Sequence, residues 1–365
     1  MRYSMAVLGN ASKSQALLIA EDGSFLRHER DQGMEWRDSS YGLPAITTRQ
    51  LVERLARSQN LKFHHLVGKC EVVMIAMAGL DERHSGERFR NQLADCQVRP
   101  ESVVFRSLAE ANHAGAFHCG PGVLLRCGHG SSAFIKDYVG RTTLIGGGGR
   151  LVGDHGSGFW LGKKSLQTVA RVRDGRATSE ERAFSLKLLE KVFNSLDFSR
   201  PFDLIEETVH ILAELGVRRF LTEFGKSAVS LAEAGDDFAR SLVDVAFAHL
   251  LDLIDRPLRT LDCNESLALC LRGSMIEEGT YFRNGLLQHI YSRVPNLKSP
   301  SDGRNGAHSD VVGAGLLALN PARSAATTLN EKQSVFVSSV TGYGWSESRP
   351  PFIGPLLSLT AVTHR

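Results

Sequence analysis

The 365-residue sequence predicts an α/β chain folded as two lobes with a ligand cleft between them. Three observations lead there. The order strand, strand, strand, helix, strand, helix is met twice. The strands are short apolar runs separated by glycine turns. The second occurrence carries a long block of helices between its third and fourth strands. With 42% hydrophobic and 23% charged residues, the chain has an ordinary globular balance and enough length for two medium domains.

In the first lobe, YSMAVLG (3–9) and QALLIAED (15–22) read as strands, and a turn at EDG leads into a third, SFLRHER (24–30). TRQLVERLARSQ (48–59) has helical spacing, with Thr48 as N-cap. CEVVMIAMAG (70–79) is nearly continuous in apolar residues, as a strand buried on both faces must be. ERFRNQLADC (87–96) follows as helix, ESVVFR (101–106) as strand and SLAEANHAGAF (107–117) as helix.

The second lobe begins after HCGPG. VLLRCG (123–128), SSAFIKDY (131–138) and TTLIGG (142–147) are its first strands. Helices are expected over 159–175, 179–196 and 203–216, with one long helix over 236–261. SLALCLRG (266–273) is a strand, YFRNGLLQHIYSRV (281–294) a helix, and SDVVGAGLLALN (309–320) a closing helix of small residues. The domain boundaries expected are 1–119, 120–307, 308–320 for the closing helix and 321–365 for an appendage, read as a β-hairpin. No close repeat accompanies the doubled order, so duplication rests on the order of elements alone.

The charge balance excludes some partners. A net charge of +3 lacks the dense basic stripe of a nucleic-acid binder. The six cysteines are scattered without paired spacing and read as reduced, mostly buried thiols. The N-terminus has no apolar segment followed by a cleavage site, and no run approaches the ~20 residues that span a bilayer. A cytoplasmic protein without membrane contact is expected, and a homodimer on the general frequency of such interfaces.

The most informative stretch is GGGGRLVGDHGSGFWLG (146–162). It is not a P-loop, because Lys163 lies in the expected helix and no first glycine is correctly placed. It lacks the G-x-G-x-x-G spacing of a dinucleotide fingerprint. It does resemble the GGWGxLLGDEGSGYWIG segment of the N-acetylglucosamine kinase and BadF/BadG/BcrA/BcrD-type ATPase family. That family belongs to the actin, hexokinase and Hsp70 superfamily, whose lobes are ribonuclease-H-like. Three further stretches match in order: VLLRCGHGSSAF (123–134) is similar to the IAGTGSxA phosphate turn, AEAGDDFARSLV (232–243) to an AEAGDxxA helix, and SDVVGAGLLAL (309–319) to a closing PxxGAALLA helix.

The resemblance implies ATP, Mg²⁺ and an amino sugar as ligands. It implies Asp154 as a ligand of sugar hydroxyls, with Gly153 and His155 beside it. It implies nucleotide contacts from Gly9, Asn10, Ser12 and Lys13 in the first turn, from Gly128, His129, Gly130 and Ser131 in the second, and from Gly273. The glycines of 146–162 would let backbone approach the sugar, or else serve tight turns alone.

Where the family places a metal-holding Asp after the first strand, this chain has Leu8. Where it places a base Asp at a helix start, this chain has Leu108. No Asp occurs in residues 2–20 or 96–136, so no shift of register restores either acid. Glu110 falls on another helix face. Asp81, in MAGLDERHSG, is the best substitute carboxylate. A sugar-contacting Asn of the family reads Ile46, and Arg272 replaces a glycine beside the adenine. His113, His118, Cys119, Cys127 and His129 crowd one region without zinc-site spacing, so no metal site is expected from them. Two functions stay open: a sugar-kinase-like protein with reduced or lost phosphotransfer, and an active ATP:amino-sugar phosphotransferase using a carboxylate such as Asp81.

Overall fold

A computed structural model of the chain describes residues 1–10, 13–36, 42–80, 85–196, 217–260, 266–277, 279–301, 309–320 and 329–341. The chain forms two compact units. One comprises Met1–Leu108 with Ala314–Ala322 and Asn330–Arg365; the other comprises Ala109–Gly313 with Arg323–Leu329.

The first unit is built on β1 (Tyr3–Gly9), β2 (Lys13–Ala20), β3 (Phe25–Gln32), β4 (Cys70–Met77) and β5 (Ser102–Arg106). Their order in the sheet is β3-β2-β1-β4-β5. β1 pairs antiparallel with β2 and parallel with β4. Every residue of β1 is buried. Met5, Val7, Val73 and Ile75 form one core with Leu51, Val52 and Leu55 of α1 (Leu43–Ser58) and Phe89 and Leu93 of α3 (Gly86–Asp95). A short α2 (Phe63–Gly68) precedes β4.

α1 starts five residues before the sequence reading placed it, because Pro44 presets the first turn. Thr48 is therefore not an N-cap. It is buried inside the helix and its Oγ1 donates to the Pro44 carbonyl at 2.8 Å. α4 (Leu108–Phe117) follows β5.

The second unit repeats the plan. β6 (Gly122–Cys127), β7 (Ser131–Lys136), β8 (Thr142–Gly146), β9 (Ala268–Arg272) and β10 (Lys298–Ser301) lie in the order β10-β9-β6-β7-β8. Read from β8, this is the order of the first unit. In both sheets the first strand pairs antiparallel with the second and parallel with the fourth. Both units are thus ribonuclease-H-like, and the doubled element order was a sound guide to them.

Between β8 and β9 run α5 (Gly149–Val152), α6 (Gly158–Arg173), α7 (Ser179–Leu196), α8 (Val217–Glu233), α9 (Asp237–Asp252) and α10 (Asp255–Thr260). The helix expected over 203–216 lies outside the described residues. The single helix expected over 236–261 is two, broken at Leu253–Ile254. The AEAGD motif makes a helix junction. Asp236 caps α9 by accepting from the Ala239 N–H at 3.0 Å, and Lys187 pairs with its carboxylate at 2.8 Å.

α11 (Tyr281–Arg293) and α12 (Ser309–Leu319) complete the pattern. In α12, a Cβ at Gly313 would stand 1.8 Å from the Ala111 carbonyl oxygen, so only glycine lets α12 lie this close to α4. The appendage contains a helix, α13 (Glu331–Thr341), where a hairpin was expected. Its Phe336 packs edge-on against Phe25, and its Gln333 donates to the Leu316 carbonyl at 2.8 Å.

Candidate functional site

The β6–β7 turn and the start of α6 meet in the second unit and carry most of the residues singled out in the sequence. β6 ends at Cys127, in register with Ser131 at the start of β7. The intervening Gly128, His129 and Gly130 make a tight turn, in which the Gly128 N–H donates to the Gly130 carbonyl at 2.9 Å. The Gly158 N–H at the start of α6 donates to the Gly128 carbonyl at 2.9 Å. Ser157, fully buried, caps α6 by accepting from the Trp160 N–H at 3.2 Å.

Asp154 sits against this turn. It is buried and holds a left-handed backbone, with φ of 57°. Its Oδ1 accepts from the Ser131 N–H at 3.2 Å, and the Ser131 hydroxyl donates to the His155 carbonyl at 2.7 Å. A Cβ at Gly130 would stand 2.6 Å from Oδ1, so the carboxylate needs glycine there. The structure therefore joins the two implied ligand stretches, with Asp154 resting on the phosphate-type turn. The N–H groups of Gly128 and Ser131 are both engaged within the protein, and a carboxylate lies over the turn. Both features weaken it as a cradle for an anion.

His129, where a Thr hydroxyl is usual in the family, places Nδ1 2.7 Å from Oγ1 of the buried Thr222 on α8. That bond pins the turn to the helical layer. Thr222 was not singled out in the sequence; a lone Thr in a helical run gives no signal. The His155 ring is exposed and lies 5.1 Å from that of His249 on α9. His249 also meets Trp160 edge-on at 5.1 Å, and burial, then the neighbouring His155, lowers its pKa. Gly153 closes α5 by donating to the Gly149 carbonyl at 2.8 Å.

The glycines at the end of the stretch have a packing role. A Cβ at Gly162 would lie 1.6 Å from the Leu221 carbonyl oxygen, and one at Gly225 would lie 2.2 Å from the Gly158 carbonyl oxygen. α6 and α8 thus touch backbone to backbone. This part of the motif serves helix contact.

In the first unit, Gly9 ends β1, and its carbonyl accepts from the Ala78 N–H at 2.9 Å. The side-chain oxygen of Asn10 accepts from the Lys13 N–H at 3.0 Å, so Asn10 closes the turn itself. Ser12 and Asp81 lie outside the described residues. Leu8 is 2% exposed on β1, and Leu108 is 7% exposed as the first residue of α4. Both positions are apolar and packed. Glu110 is half-buried and acts electrostatically on Lys136, whose ammonium donates to the Cys119 carbonyl at 2.7 Å. Ile46 is exposed on α1.

The Cys/His region lies around α4 and β6. His113 is buried; its Nε2 contacts the Gly122 carbonyl at 3.0 Å, and its ring packs against Phe117 and Phe134. Burial drives its pKa down to about 3. Burial raises the Cys119 thiol to about 11 and raises Cys127 as well. The five cysteines among the described residues are free thiols. Among the described residues no three His, Cys, Asp or Glu side chains gather as a metal site would require, and no helix is long and apolar enough to cross a membrane.

Gly273, after β9, lies next to this turn, and the Met275 N–H donates to the Cys127 carbonyl at 3.2 Å. Arg272 ends β9, in register with Arg126 on β6.

Two ribonuclease-H-like sheets, a glycine turn and a buried aspartate at a capped helix define the class of actin-like ATPase and hexokinase folds. The chain belongs to the BadF/BadG/BcrA/BcrD ATPase family, whose model matches residues 41–318. It is related to amino-sugar kinases. It is 29% identical over 201 residues to an N-acetyl-D-glucosamine kinase of Dictyostelium discoideum, a match spanning 54% of this chain and 59% of that relative. It is 21% identical over 318 residues to an N-acetylmuramic acid/N-acetylglucosamine kinase of Clostridium acetobutylicum, a match covering 86% of this chain and 98% of that one. A solved structure of a candidate N-acetylglucosamine kinase from Chromobacterium violaceum shares the fold. Its TM-score is 0.57 at 19% identity, over 87% of this chain and 99% of that one.

Proposed function

We propose that this chain is a sugar-kinase-like protein that binds an amino sugar through Asp154 and whose phosphotransfer is reduced or lost. One observation carries the reading: Leu8 and Leu108 are packed apolar side chains at the two positions where the family resemblance calls for acids.

Phosphoryl transfer relies on positioning and on neutralising charge, chiefly by a metal ion. Mg²⁺ takes carboxylate and water oxygens and tolerates little departure from octahedral geometry. Leu8 offers no donor. Among the described residues no acidic cluster stands in for it. The donors among the described residues therefore do not fit the Mg²⁺ of an active kinase. A general base adds roughly 10²–10⁴-fold in rate, and Leu108 cannot accept a proton.

The sugar side is better preserved. Asp154 is acceptor-only when ionised, and its Oδ1 accepts from the Ser131 N–H. Vicinal sugar hydroxyls are donors that suit it. A nucleotide would use Gly128, His129, Gly130, Ser131 and Gly273, and in the first unit Gly9, Asn10, Ser12 and Lys13. An active phosphotransferase would draw its carboxylate from Asp81.

Calorimetric titration with N-acetylglucosamine tests the sugar assignment. Saturable binding that falls at least tenfold in Asp154→Ala supports it. Equal binding by both proteins overturns it.

A further inference from the structure

Two imidazoles meet beside the Asp154 loop, and the proposed function makes no use of their contact. His155 follows Asp154 in the loop that leads into α6, and its ring is exposed. His249 is half-buried on α9, and the two ring centroids lie 5.1 Å apart. Trp160 meets His249 edge-on at 5.1 Å, and the Lys164 ammonium lies 5.8 Å from the centre of the same indole. No carboxylate is hydrogen-bonded to either imidazole among the described residues.

The loop is clamped on two sides. Towards the β6–β7 turn, Asp154 Oδ1 accepts from the Ser131 N–H at 3.2 Å, and the His155 carbonyl accepts from the Ser131 hydroxyl at 2.7 Å. Towards α9, the backbone of Gly156 lies so close that a Cβ there would stand 2.6 Å from the Ala246 carbonyl oxygen and 3.3 Å from the His249 Cβ. Asp154 holds its left-handed φ of 57° between these contacts. Such a conformation persists only while the surroundings enforce it, so losing one side of the clamp releases it.

The surroundings of His249 are poor in negative charge. The charged groups acting on it are His155 of the loop, Lys164 of α6 and Asp252 of α9 itself. Asp252 is exposed and already paired with Arg256 of α10 at 2.7 Å. On the other helices packed against α9, Lys187 of α7 pairs with Asp236, Glu223 and Lys226 of α8 pair with each other, and His289 of α11 packs on Phe247. Protonating both imidazoles therefore sets two cations ring to ring with a third nearby, and Asp252 is the one carboxylate acting against them. Burial, then His155, already holds His249 below the ordinary histidine value.

We propose that the His155–His249 pair is an acid-operated release for the Asp154 loop: when both rings are protonated they part, the loop leaves α9, and the amino sugar is held more weakly. The neutral pair is the form that packs, so the contact is complete above pH ~6.5 and is lost as pH falls below it. The loss of sugar rests on Asp154 as the sugar ligand; the movement of the loop rests on the ring pair alone.

The test uses the 365-residue chain at pH 7.5 and pH 5.0 and constant ionic strength. Without sugar, the Ser131 and Gly156 amide resonances of the parent should shift between the two pH values. Calorimetric titration with N-acetylglucosamine should show at least a threefold loss of affinity at the lower pH. His249→Phe keeps a ring against Trp160 and takes no proton; it should bind the sugar as the parent does at pH 7.5 and keep that affinity at pH 5.0. The proposal is overturned if the parent's Ser131 and Gly156 resonances ignore pH, or if His249→Phe loses affinity at pH 5.0 as the parent does. Should that variant fail to fold, His155→Asn, at an exposed position, decides by the same two resonances, which should then stay fixed. If the resonances respond as expected but no sugar binds at either pH, the release of the loop stands and the sugar role of Asp154 falls.

Discussion

Gly162→Ala separates two effects of opposite sign. Replacing a mid-helix glycine by alanine ordinarily stabilises by about 1 kcal/mol, because alanine loses less backbone freedom. At Gly162 the new Cβ would lie 1.6 Å from the Leu221 carbonyl oxygen and 3.1 Å from the Gly225 amide nitrogen. The first of these atoms is backbone inside α8, so no rotamer change relieves the clash. The helices must separate, and the seam they would open holds Leu161, Phe220, Leu221 and Phe224, all buried. A gap of only ~0.5–1 Å forfeits a quarter to a half of the dispersion attraction across it. Overpacking of this kind costs about 3 kcal/mol, the upper end of its usual range. The clash wins, leaving a net loss of about 2 kcal/mol. For a unit of this size that lowers the thermal midpoint by roughly 4–8 °C. Gly68→Ala is the control, because a Cβ there meets nothing within 4 Å; it should leave the midpoint level or raise it. Differential scanning calorimetry reads both. A Gly162→Ala protein as stable as the parent would refute the packing role and return this glycine to the ligand.

Two further outcomes follow from the same site. Burial holds the folded pKa of His113 at about 3, against 6.5 for the free side chain. The unfolded chain then binds a proton that the folded chain refuses, so stability is full above pH ~6.5 and falls as pH drops toward ~3, by as much as ~4 kcal/mol. Urea unfolding of the parent and of His113→Gln at pH 7 and pH 4.5 should show a smaller acid loss in the variant; equal losses would contradict the burial argument. Thr222→Val removes the hydroxyl that meets His129 at 2.7 Å and should cost ~1 kcal/mol. The imidazole ¹⁵N shifts of His129 should move with it, and an unchanged spectrum would mean that the turn is not held from α8.

The fold was legible because its signals are local. Period-two and continuous apolar runs marked the strands, and the repeated order marked the two units. Other features depend on contacts distant in sequence. Thr48 sits after a plausible stop and looks like a cap, but Pro44 starts the helix earlier. The break at Leu253–Ile254 has its signal in Pro257, which lacks the N–H that would bond the Leu253 carbonyl and clashes with it in an unbroken helix. At the site, Asp154 and the β6–β7 turn were each visible as motifs, whereas their contact and the link from His129 to Thr222 appear only when the chain is folded. The glycine cluster invited a ligand reading because sequence does not distinguish a glycine that admits a sugar from one that admits a helix. Arg126 stood unremarked within an apolar strand; its register with Arg272 is a property of the sheet.

The most direct test of the account is turnover. The purified 365-residue chain is incubated with Mg·ATP and N-acetylglucosamine, and ADP release is followed. Ordinary kinases run at about 1–100 s⁻¹. With Leu8 and Leu108 where the family resemblance calls for acids, the rate should fall at least a thousandfold below that range while the sugar still binds. Turnover of even 1 s⁻¹ would contradict the account and direct attention to Asp81.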